Sequence, residues 1–331
     1  MAKNPYYNGP ISDHFDGTYF FNPNGVEPKG FTDLLKWQFG EKENHKWPKE
    51  VKSPHPQTKP DVALPQDTMR LTMIGHASFL IQTGGLNILT DPVWSERTSP
   101  ISFMGPKRVN KPGIALDDLP KIDVILLTHN HYDHLDIKTL DHLHKTHNPL
   151  LITPLGNDSI VHKSIPDMNI QTGDWHDVLE LGSVKFHFEP CHHWSARGMG
   201  DRRMALWAAF VIESMAGKLY HIGDTGFHSG INYKDATQKH GQFRAAILPI
   251  GAYDPRWFMK DQHQNPHEAV QGFKLCNAQY AAGHHFGTFK LTNEPIDQPP
   301  TFLAKALDEH DIDPNRFQAM KPGHVWDIPK S

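Results

Sequence analysis

Residues 122–134, IDVILLTHNHYDH, join an apolar run to a cluster of metal-binding side chains. The apolar and β-branched residues of IDVILLT predict a buried strand. Directly after it come the imidazoles of His129, His131 and His134 and the carboxylate of Asp133. Neutral imidazole and carboxylate groups are ligands that divalent zinc, iron and manganese accept. The stretch therefore predicts a metal site at a strand end. Its spacing allows His129 and His131 to face one ion while Asp133 and His134 face a second.

Three further segments place potential ligands after apolar runs. They are Cys191-His192-His193-Trp194, Gly223-Asp224-Thr225-Gly226 and His284-His285-Phe286-Gly287-Thr288. Loops at strand ends present functional groups from a rigid sheet. Neighbouring residues of an extended chain point to opposite sides, so only one histidine of each pair should bind a metal ion. The residues alone leave that choice open.

The composition singles out histidine as the unusual residue. The chain has 331 residues and 24 His, and its 33 Lys+Arg against 37 Asp+Glu give a net charge of −4. This balance excludes a polybasic nucleic-acid binder. The longest apolar run, residues 204–212, is about half of a membrane-spanning length, and the start MAKNPYYNGPISD lacks the pattern of an export signal. Two cysteines do not make a disulfide scaffold, so we expect a cytoplasmic protein.

The first 66 residues differ from the rest of the chain. They combine Pro, Asn, Lys and aromatic residues without strand alternation, which predicts an arm, residues 1–66, that wraps a body formed by residues 67–331. Within the arm, a helix is expected because apolar residues recur at helical spacing: Phe31, Leu34, Leu35 and Phe39. We expect this helix to cover the core, with membrane contact as the alternative.

The body combines strands and helices. Short apolar runs bounded by Gly, Pro, Asn or Asp, from RLTMIG at Arg70 to AAILPIG, predict a series of strands. Helices are predicted over residues 137–143 behind an Asp136 cap, from Pro266 onward, and over residues 301–310. Strands followed by mixed strands and helices are typical of a layered α/β domain.

Several longer stretches resemble the metallo-β-lactamase superfamily, and within it the branch of N-acyl-phosphatidylethanolamine-hydrolysing phospholipase D. They are TMIGHASFLI, LTDPVWSERTSPISFMGPKR, LPKIDVILLTHNHYDHLD, FEPCHHWSAR, IGDTGF, LPIGAYDPRWFMKDQHQNPHEAV and HHFGTFKLTNEP. The similarity covers residues 67–325 and gives no clear match for the arm. It implies an α/β fold in which two mixed β-sheets pack face to face with helices outside, an αββα sandwich.

The resemblance also implies the ligands of two divalent ions. It selects His193 and His285 within the histidine pairs. The implied ligand set is His129, His131 and His193 for one ion, Asp133, His134 and His285 for the other, and Asp224 bridging both. Zinc is the expected metal, and iron and manganese remain alternatives because no cysteine ligand excludes harder ions.

Three carboxylates have expected catalytic roles. Asp133 binds metal, Asp224 also orients the attacking water, and Asp91, at the end of the strand LNILT, orients a metal ligand. From its spacing alone, Asp91 could equally be a turn residue before Pro92. We expect His76 of IGHAS to be a hydrogen-bonded histidine between strands rather than a ligand.

The expected substrate contacts are Gln262, His263 and Arg256. Gln262 and His263 match a family stretch close to the mouth of the active site, and Arg256, next to Trp257, could hold phosphate. Other loop cations could hold phosphate, but such residues are usually only solvated: Lys107, Arg108, Arg197, Arg202 and Arg203. Cys191, next to the ligand loop, is expected to be a small buried residue.

The resemblance implies a binuclear metal-dependent hydrolase. The leading hypothesis is a phospholipase D-like phosphodiesterase that cuts N-acyl-phosphatidylethanolamine or a related phospholipid through a metal-bridging hydroxide. The expected partner is the phospholipid or another phosphodiester, no nucleic acid is expected, and both peripheral membrane contact and a homodimer remain open. The alternative is a metal-dependent lactonase or other ester hydrolase of the same fold. The complete ligand set argues against a non-hydrolytic redox or metal-carrying module.

Overall fold

Two seven-stranded β-sheets form the body of the protein. Each sheet comes from one half of the chain, except that the last strand of the chain joins the first sheet. They are seen in a computed structural model that describes residues 4–23, 25–40, 45–101, 103–198 and 200–330. Helices cover the outer faces of both sheets. The architecture is the αββα sandwich that the family resemblance implied, and it confirms the layered α/β domain expected from the pattern of strands and helices.

The first sheet contains the N-terminal strands. In sheet order its strands are β14 (Val325–Asp327), β1 (Met69–Gly75), β2 (Ser78–Thr83), β3 (Leu86–Thr90), β4 (Val124–Leu126), β5 (Leu150–Pro154) and β6 (Ile170–Gly173). Strands β1 to β3 pair antiparallel, whereas β3 to β6 pair parallel. Strand β14 returns from the second half of the chain to pair antiparallel with β1.

The second sheet has a similar arrangement. In sheet order its strands are β13 (Phe317–Ala319), β12 (Ala278–His284), β11 (Phe243–Pro249), β10 (Gly217–His221), β9 (Ala209–Ser214), β8 (Val184–Glu189) and β7 (Val178–Leu181). Strands β7 to β10 pair antiparallel, and β10 to β13 pair parallel. The ends of β4, β8, β10 and β12 precede the four loops that carry the predicted ligands.

Seven α-helices accompany the sheets in the part of the chain that the structure describes. They are α1 (Phe31–Phe39), α2 (Ile137–His147), α3 (Asn157–His162), α4 (Ile231–His240), α5 (Arg256–Met259), α6 (Pro266–Leu275) and α7 (Gln298–Glu309). The Asp136 carboxylate caps α2 by accepting hydrogen bonds from the backbone of Lys138 and Thr139, which satisfies N–H groups at the helix start. None of the helices in these ranges is long and apolar enough to cross a membrane.

Alternating side chains divide the apolar core into two layers. Val124 and Leu126 of β4 lie in the large cluster between the sheets. Ile125 between them lies in a second cluster with Leu140 and Leu143 of α2. A parallel strand covered on both faces must be apolar throughout. This requirement explains why the sequence before the histidine motif is an unbroken run of apolar residues.

Some elements were not predicted from the sequence. Edge strand β7, with the sequence VLEL, has no buried residue, and β13 and β14 have three residues each. Such short edge strands carry too few side chains to establish a period of two. Helix α4 is mostly polar, with the sequence INYKDATQKH, and therefore lacks a strong apolar stripe.

The arm contributes to the core. Phe15 and Phe20 are 1% and 0% exposed and belong to the cluster between the sheets. The backbone N–H of Phe20 donates to the carbonyl oxygen of Arg203 at 2.7 Å. The Asn4 amide donates to the carbonyl oxygens of Thr18 and Met204, each at 2.8 Å. The described parts of the arm are thus packed into the body as well as around it.

Helix α1 has the predicted bounds but not the predicted environment. Leu34 and Leu35 are each 38% exposed and Phe39 is 84% exposed, while the side chain of Phe31 lies outside the described part of the chain. Leu34 and Trp37 line a surface cavity instead of covering the core. The expectation that this helix covers the core is therefore wrong, because its apolar face lies over an open cavity.

His14 links the arm to the body through two carboxylates. Its Nε2 lies 2.7 Å from Asp174 Oδ1 and its Nδ1 lies 2.6 Å from Asp13 Oδ1, and its ring stacks on Trp175 at 4.4 Å. Burial alone would lower the pKa of His14, but the hydrogen bonds to Asp174 and Asp13 raise it above the ordinary value. Protonated His14 therefore favours the docked arm.

The stabilisation from His14 should be present below its unfolded-state pKa of about 6.5 and should disappear as the pH rises through the raised folded-state pKa. We expect His14→Gln to lower the thermal unfolding midpoint more at about pH 6 than at about pH 9. Circular dichroism of both proteins at each pH provides the measurement. An equal difference at the two pH values would show that His14 contributes only through packing.

Candidate metal centre

Four loops at one edge of the sandwich bring together all seven predicted ligands. The loop after β4 carries four of them, and the loops after β8, β10 and β12 carry one each. These strands are fixed by sheet pairing and by the buried core, so the loops start from rigid positions. The ligand set comprises His129, His131, Asp133, His134, His193, Asp224 and His285, which form overlapping clusters of close ligand atoms.

The first group contains three histidines. His129 Nε2 lies 2.9 Å from His131 Nδ1, which lies 3.2 Å from His193 Nε2. Nitrogen ligands of one ion, at bond lengths of about 2.0–2.1 Å, are separated by about 2.9–3.4 Å. Burial lowers the pKa of His129 and His193 well below the ordinary value and that of His131 to about 4. The three rings are thus neutral, which is the form that binds metal.

The second group combines two histidines with a carboxylate. Asp133 Oδ2 lies 3.2 Å from His285 Nε2 and 3.6 Å from His134 Nε2. Burial alone would lower the pKa of His285, but the Asp224 charge and hydrogen bonds to Asp133 and Asp224 raise it to about 9. These imidazoles therefore share a site of negative potential, where a divalent cation would compete with protons.

Asp224 lies between the two groups. Its Oδ2 atom is 3.1 Å from His285 Nε2, 3.3 Å from His134 Nε2 and 3.8 Å from His193 Nε2. Burial alone would raise the pKa of Asp224, but the charges of His285 and His134 hold it well below the ordinary value. The carboxylate is thus ionised and reaches ligand atoms of both groups.

Unsatisfied polar atoms show that the site suits a cation. His134 Nε2 and the second carboxylate oxygen of Asp224, Oδ1, are buried without a hydrogen-bond partner. Buried polar groups normally have partners, and ionised groups are costly to bury unless they are paired. The donor set is nitrogen and oxygen without sulfur, which zinc, iron and manganese all accept. The residues present therefore fit divalent metal binding.

Asp91 fixes the orientation of His134. Its carboxylate accepts hydrogen bonds of 2.8 Å from His134 Nδ1, Thr128 Oγ1 and the Thr128 backbone N–H. Because Nδ1 carries the proton, Nε2 of His134 is free to face the site. Thr128 Oγ1 also accepts a hydrogen bond from His129 Nδ1 at 3.0 Å. The sequence did not identify this role of Thr128. Its position directly before the histidine motif was the signal that could have indicated it.

Three further histidines lie near the two groups. His76 Nε2 donates to Asp133 Oδ2 at 2.8 Å, so it is hydrogen-bonded as the sequence predicted, and its ligand atom also lies within the cluster of Asp133, His134 and His285. His192 stacks on His228 at 4.0 Å, and its Nδ1 lies 2.7 Å from the Asn232 amide. His284 is 0% exposed in the interior. The structure thus places His193 and His285, rather than His192 and His284, among the clustered ligand atoms.

A cavity of about 570 Å³ opens onto the metal centre. It is lined by ligand atoms at its base and by mainly apolar side chains elsewhere. Its lining includes Leu34, Trp37, His131, Asp133, Trp194, Asp224, Phe258, Met259, Gln262, His263, His285 and Leu291. The structure thus places the predicted contacts Gln262 and His263 in this cavity. His263 Nδ1 lies 3.9 Å from Asp224 Oδ2.

Arg256 has another role than the predicted one. Its guanidinium pairs with Glu268 at 2.8 Å and donates to the His263 carbonyl oxygen at 2.8 Å. It is absent from the described lining of the cavity. Because both terminal nitrogens of its guanidinium contact these partners, Arg256 supports the loop that carries His263, and it does not line the cavity where substrate would lie.

The other loop cations either bind backbone carbonyl oxygens or line the cavity. Arg197 donates to the carbonyl oxygens of Asn130 and Leu135, at 3.0 and 2.9 Å, and so holds both ends of the ligand loop. Arg108 is buried and donates to the Val93 carbonyl oxygen. Arg202 does line the cavity, together with Lys29 of the arm. Cys191 is buried, with 2% of its surface exposed.

Comparison with known proteins agrees with this architecture. The family described as Beta-lactamase superfamily domain matches residues 86–286. N-acyl-phosphatidylethanolamine-hydrolyzing phospholipase D 1 of Caenorhabditis elegans is 32% identical over 344 residues, which cover 98% of this chain and 94% of that protein. The mitochondrial N-acyl-phosphatidylethanolamine-hydrolyzing phospholipase D of Saccharomyces cerevisiae is 32% identical over 233 residues, which cover 69% of this chain and 49% of that protein.

A solved structure shows the same fold. Igni18, a metallo hydrolase of Ignicoccus hospitalis, superposes with a TM-score of 0.58 and 18% identity over 79% of this chain and 99% of that chain. The chain belongs to the metallo-β-lactamase superfamily and, within it, to the branch of the N-acyl-phosphatidylethanolamine-hydrolysing phospholipases D. It is a metal-dependent hydrolase. The match over 98% of the chain includes most of the arm, for which the quoted stretches gave no clear match.

The histidine pairs offer matched variants for testing the metal centre. We expect His193→Ala and His285→Ala to lower the metal content of the purified protein, because each removes a ligand from a buried cluster. His192→Ala and His284→Ala should retain the metal content of the wild type. Inductively coupled plasma mass spectrometry of the four variants measures this. Metal loss in His192→Ala equal to that in His193→Ala would contradict the assignment.

Proposed function

We propose that the protein hydrolyses the head-group phosphodiester of N-acyl-phosphatidylethanolamine or a related phospholipid, with two divalent ions, preferably zinc. The observation that carries this proposal is the 32% identity to the Caenorhabditis elegans phospholipase over 98% of the chain. The two ligand groups that meet at Asp224 support the number of ions. The large, mainly apolar cavity supports the class of substrate.

The proposed ligand sets follow the two groups. His129, His131 and His193 would hold one ion, and Asp133, His134 and His285 the other, with Asp224 shared. When bound, the two cations lower the pKa of a water molecule and neutralise negative charge on the phosphodiester oxygens. A water molecule adds to phosphorus and the bond from phosphorus to the N-acylethanolamine oxygen breaks. The products are phosphatidic acid and N-acylethanolamine, which takes up the proton.

The side chains around the base of the cavity would orient these reactants. Asp224 is ionised and central, so it can accept a hydrogen bond from the attacking water. Burial lowers the pKa of His263 to about 4, so its ring is neutral and can donate one hydrogen bond to a phosphate oxygen. Gln262 is 6% exposed and its Oε1 has no hydrogen-bond partner, which leaves it available to a hydroxyl or amide of the substrate.

The cavity walls favour a lipid phosphodiester over a small cyclic ester. Trp37, Trp194 and Phe258 provide aromatic walls that can bury an acyl chain. Arg202 adds positive charge to the same cavity, whereas the charge of Lys29 is paired with Asp261. The Arg202 cation suits a phosphodiester anion better than an uncharged lactone. The apolar walls and the positive charge thus both favour a lipid phosphodiester as the substrate.

A substrate with two or three acyl chains resides in a bilayer. Helix α1 offers a surface that can contact this bilayer. Leu35 and Phe39 are exposed on this helix, and Trp257 is 41% exposed near it. Exposed apolar side chains of a helix can rest among lipid head groups without crossing the bilayer. We propose that the protein binds peripherally through α1, which brings the cavity to the lipid.

The substrate class can be tested with protein reconstituted in turn with zinc, iron or manganese. We expect release of N-acylethanolamine and phosphatidic acid from N-acyl-phosphatidylethanolamine micelles, measured by mass spectrometry. A soluble bis-aryl phosphodiester should be cut less efficiently, because remote acyl contacts contribute to transition-state binding. Faster turnover of a lactone than of any phosphodiester would contradict the proposal and favour the ester hydrolase.

The membrane surface has its own test. We expect Leu35→Gln combined with Phe39→Gln to lower activity on lipid vesicles about tenfold or more, since each exposed side chain loses apolar burial. Activity on the soluble phosphodiester should stay unchanged. Met215→Gln is the control, because Met215 is 68% exposed in the turn between β9 and β10, away from the metal loops. Equal losses on both substrates would contradict membrane docking by α1.

A further inference from the structure

One segment of the arm contacts the ligand loop that carries His193 and a second loop that lines the cavity. We name this segment, residues 22–23 and 25–30, the strap. It leads directly into α1, which forms part of the cavity wall. Its contacts are with the loop that carries His193 and with the loop at residues 261–263. The strap therefore lies between the cavity wall and the ligand loops.

Asn22 holds the backbone of His193. Its Nδ2 donates to the His193 carbonyl oxygen at 3.0 Å, and its Oδ1 accepts from Trp207 Nε1 at 3.3 Å. Trp207 is 1% exposed and also donates to the Cys191 carbonyl oxygen at 3.0 Å. Asn22 and Trp207 together fix the backbone on both sides of His192. This fixes the direction in which the side chain of His193 points.

Gln262 connects the strap to the ring of His193. Its backbone carbonyl oxygen accepts a hydrogen bond from His193 Nδ1 at 3.1 Å, which turns Nε2 toward His131. Its side-chain amide donates to the Val26 carbonyl oxygen of the strap at 3.1 Å. Lys29 Nζ lies 3.4 Å from Asp261 Oδ2. The strap thus holds the group that orients the His193 ring.

We infer that the strap is a component of the metal centre and that Asn22 is a positioning residue for His193. Asn22 touches neither substrate nor ion and acts through the backbone of the ligand. Replacing a residue that supports a metal ligand typically lowers metal affinity about tenfold to a hundredfold. The inference rests on the proposed two-ion function. It also gives the arm a role in the site that is separate from membrane contact.

The test compares two variants of Asn22 in the full chain. Asn22→Ala removes both hydrogen bonds, whereas Asn22→Asp keeps the acceptor for Trp207 and loses the N–H donor to His193. We expect each variant to weaken the binding of one ion about tenfold to a hundredfold and to leave the other ion unaffected. Titration with Zn²⁺ measures the affinities, and the visible absorption of Co²⁺-loaded protein reports the ligand geometry.

Glu27→Gln is the matched control. Glu27 lies on the same strap, but its carboxylate pairs with Arg203 at 2.6 Å and is 69% exposed. Exposed ion pairs contribute little, so this variant should bind both ions as the wild type does. A change in the Co²⁺ spectrum of both Asn22 variants, with an unchanged spectrum for Glu27→Gln, is the expected result.

Two results would overturn the role of Asn22. One is wild-type affinity and spectrum in both Asn22 variants. The other is equal weakening of both ions together with a lower thermal unfolding midpoint, which would show a general loss of structure. A wild-type protein that binds a single ion would instead contradict the proposed two-ion function. In that case, weaker binding of the single ion by the Asn22 variants would support the role of Asn22, and unchanged binding would overturn it.

Discussion

The close approach of the Asp224 carboxylate to three buried imidazoles is the interaction on which the rest of the site depends. Oδ2 of Asp224 reaches His134, His193 and His285 within 3.8 Å, and these residues come from three different loops. An ionised carboxylate can lie in the interior only where charges or hydrogen bonds compensate its lost hydration. The fold meets this requirement by ending strands of both sheets at one edge. The layered core then serves to hold those strand ends still.

The sequence was most informative where function requires a local pattern. The histidine motif, the apolar strand before it and the Asp136 cap each involve neighbouring residues, and the structure has all of them. The choice between His192 and His193 could not come from spacing, because the turn that separates their environments depends on Asn22, Trp207 and Thr225. Resemblance to a family supplied that choice, since it carries information about the folded loop.

Long-range contacts explain the predictions that failed. Arg256 was expected in the active site, yet Glu268, twelve residues later, binds its guanidinium. The apolar spacing of α1 was correct, but spacing shows only that a helix has an apolar face and not what that face contacts. Phe15 and Phe20 lie in a segment without secondary-structure periodicity and still enter the core. Burial of isolated side chains from an irregular segment leaves no periodic signal in the sequence.

The return of β14 to the first sheet has a consequence for association between molecules. Without β14, strand β1 would be an open sheet edge of seven residues, nearly all of which have buried side chains. Such an edge is a template for pairing with another chain. The backbone of β1 is instead bonded to residues 323–328. Arg70 adds contacts to Asp327 at 2.6 Å and to Asp61 at 2.8 Å. The new outer edge is three residues long and carries charge, so it offers little to a second sheet and protects the protein against edge-to-edge aggregation.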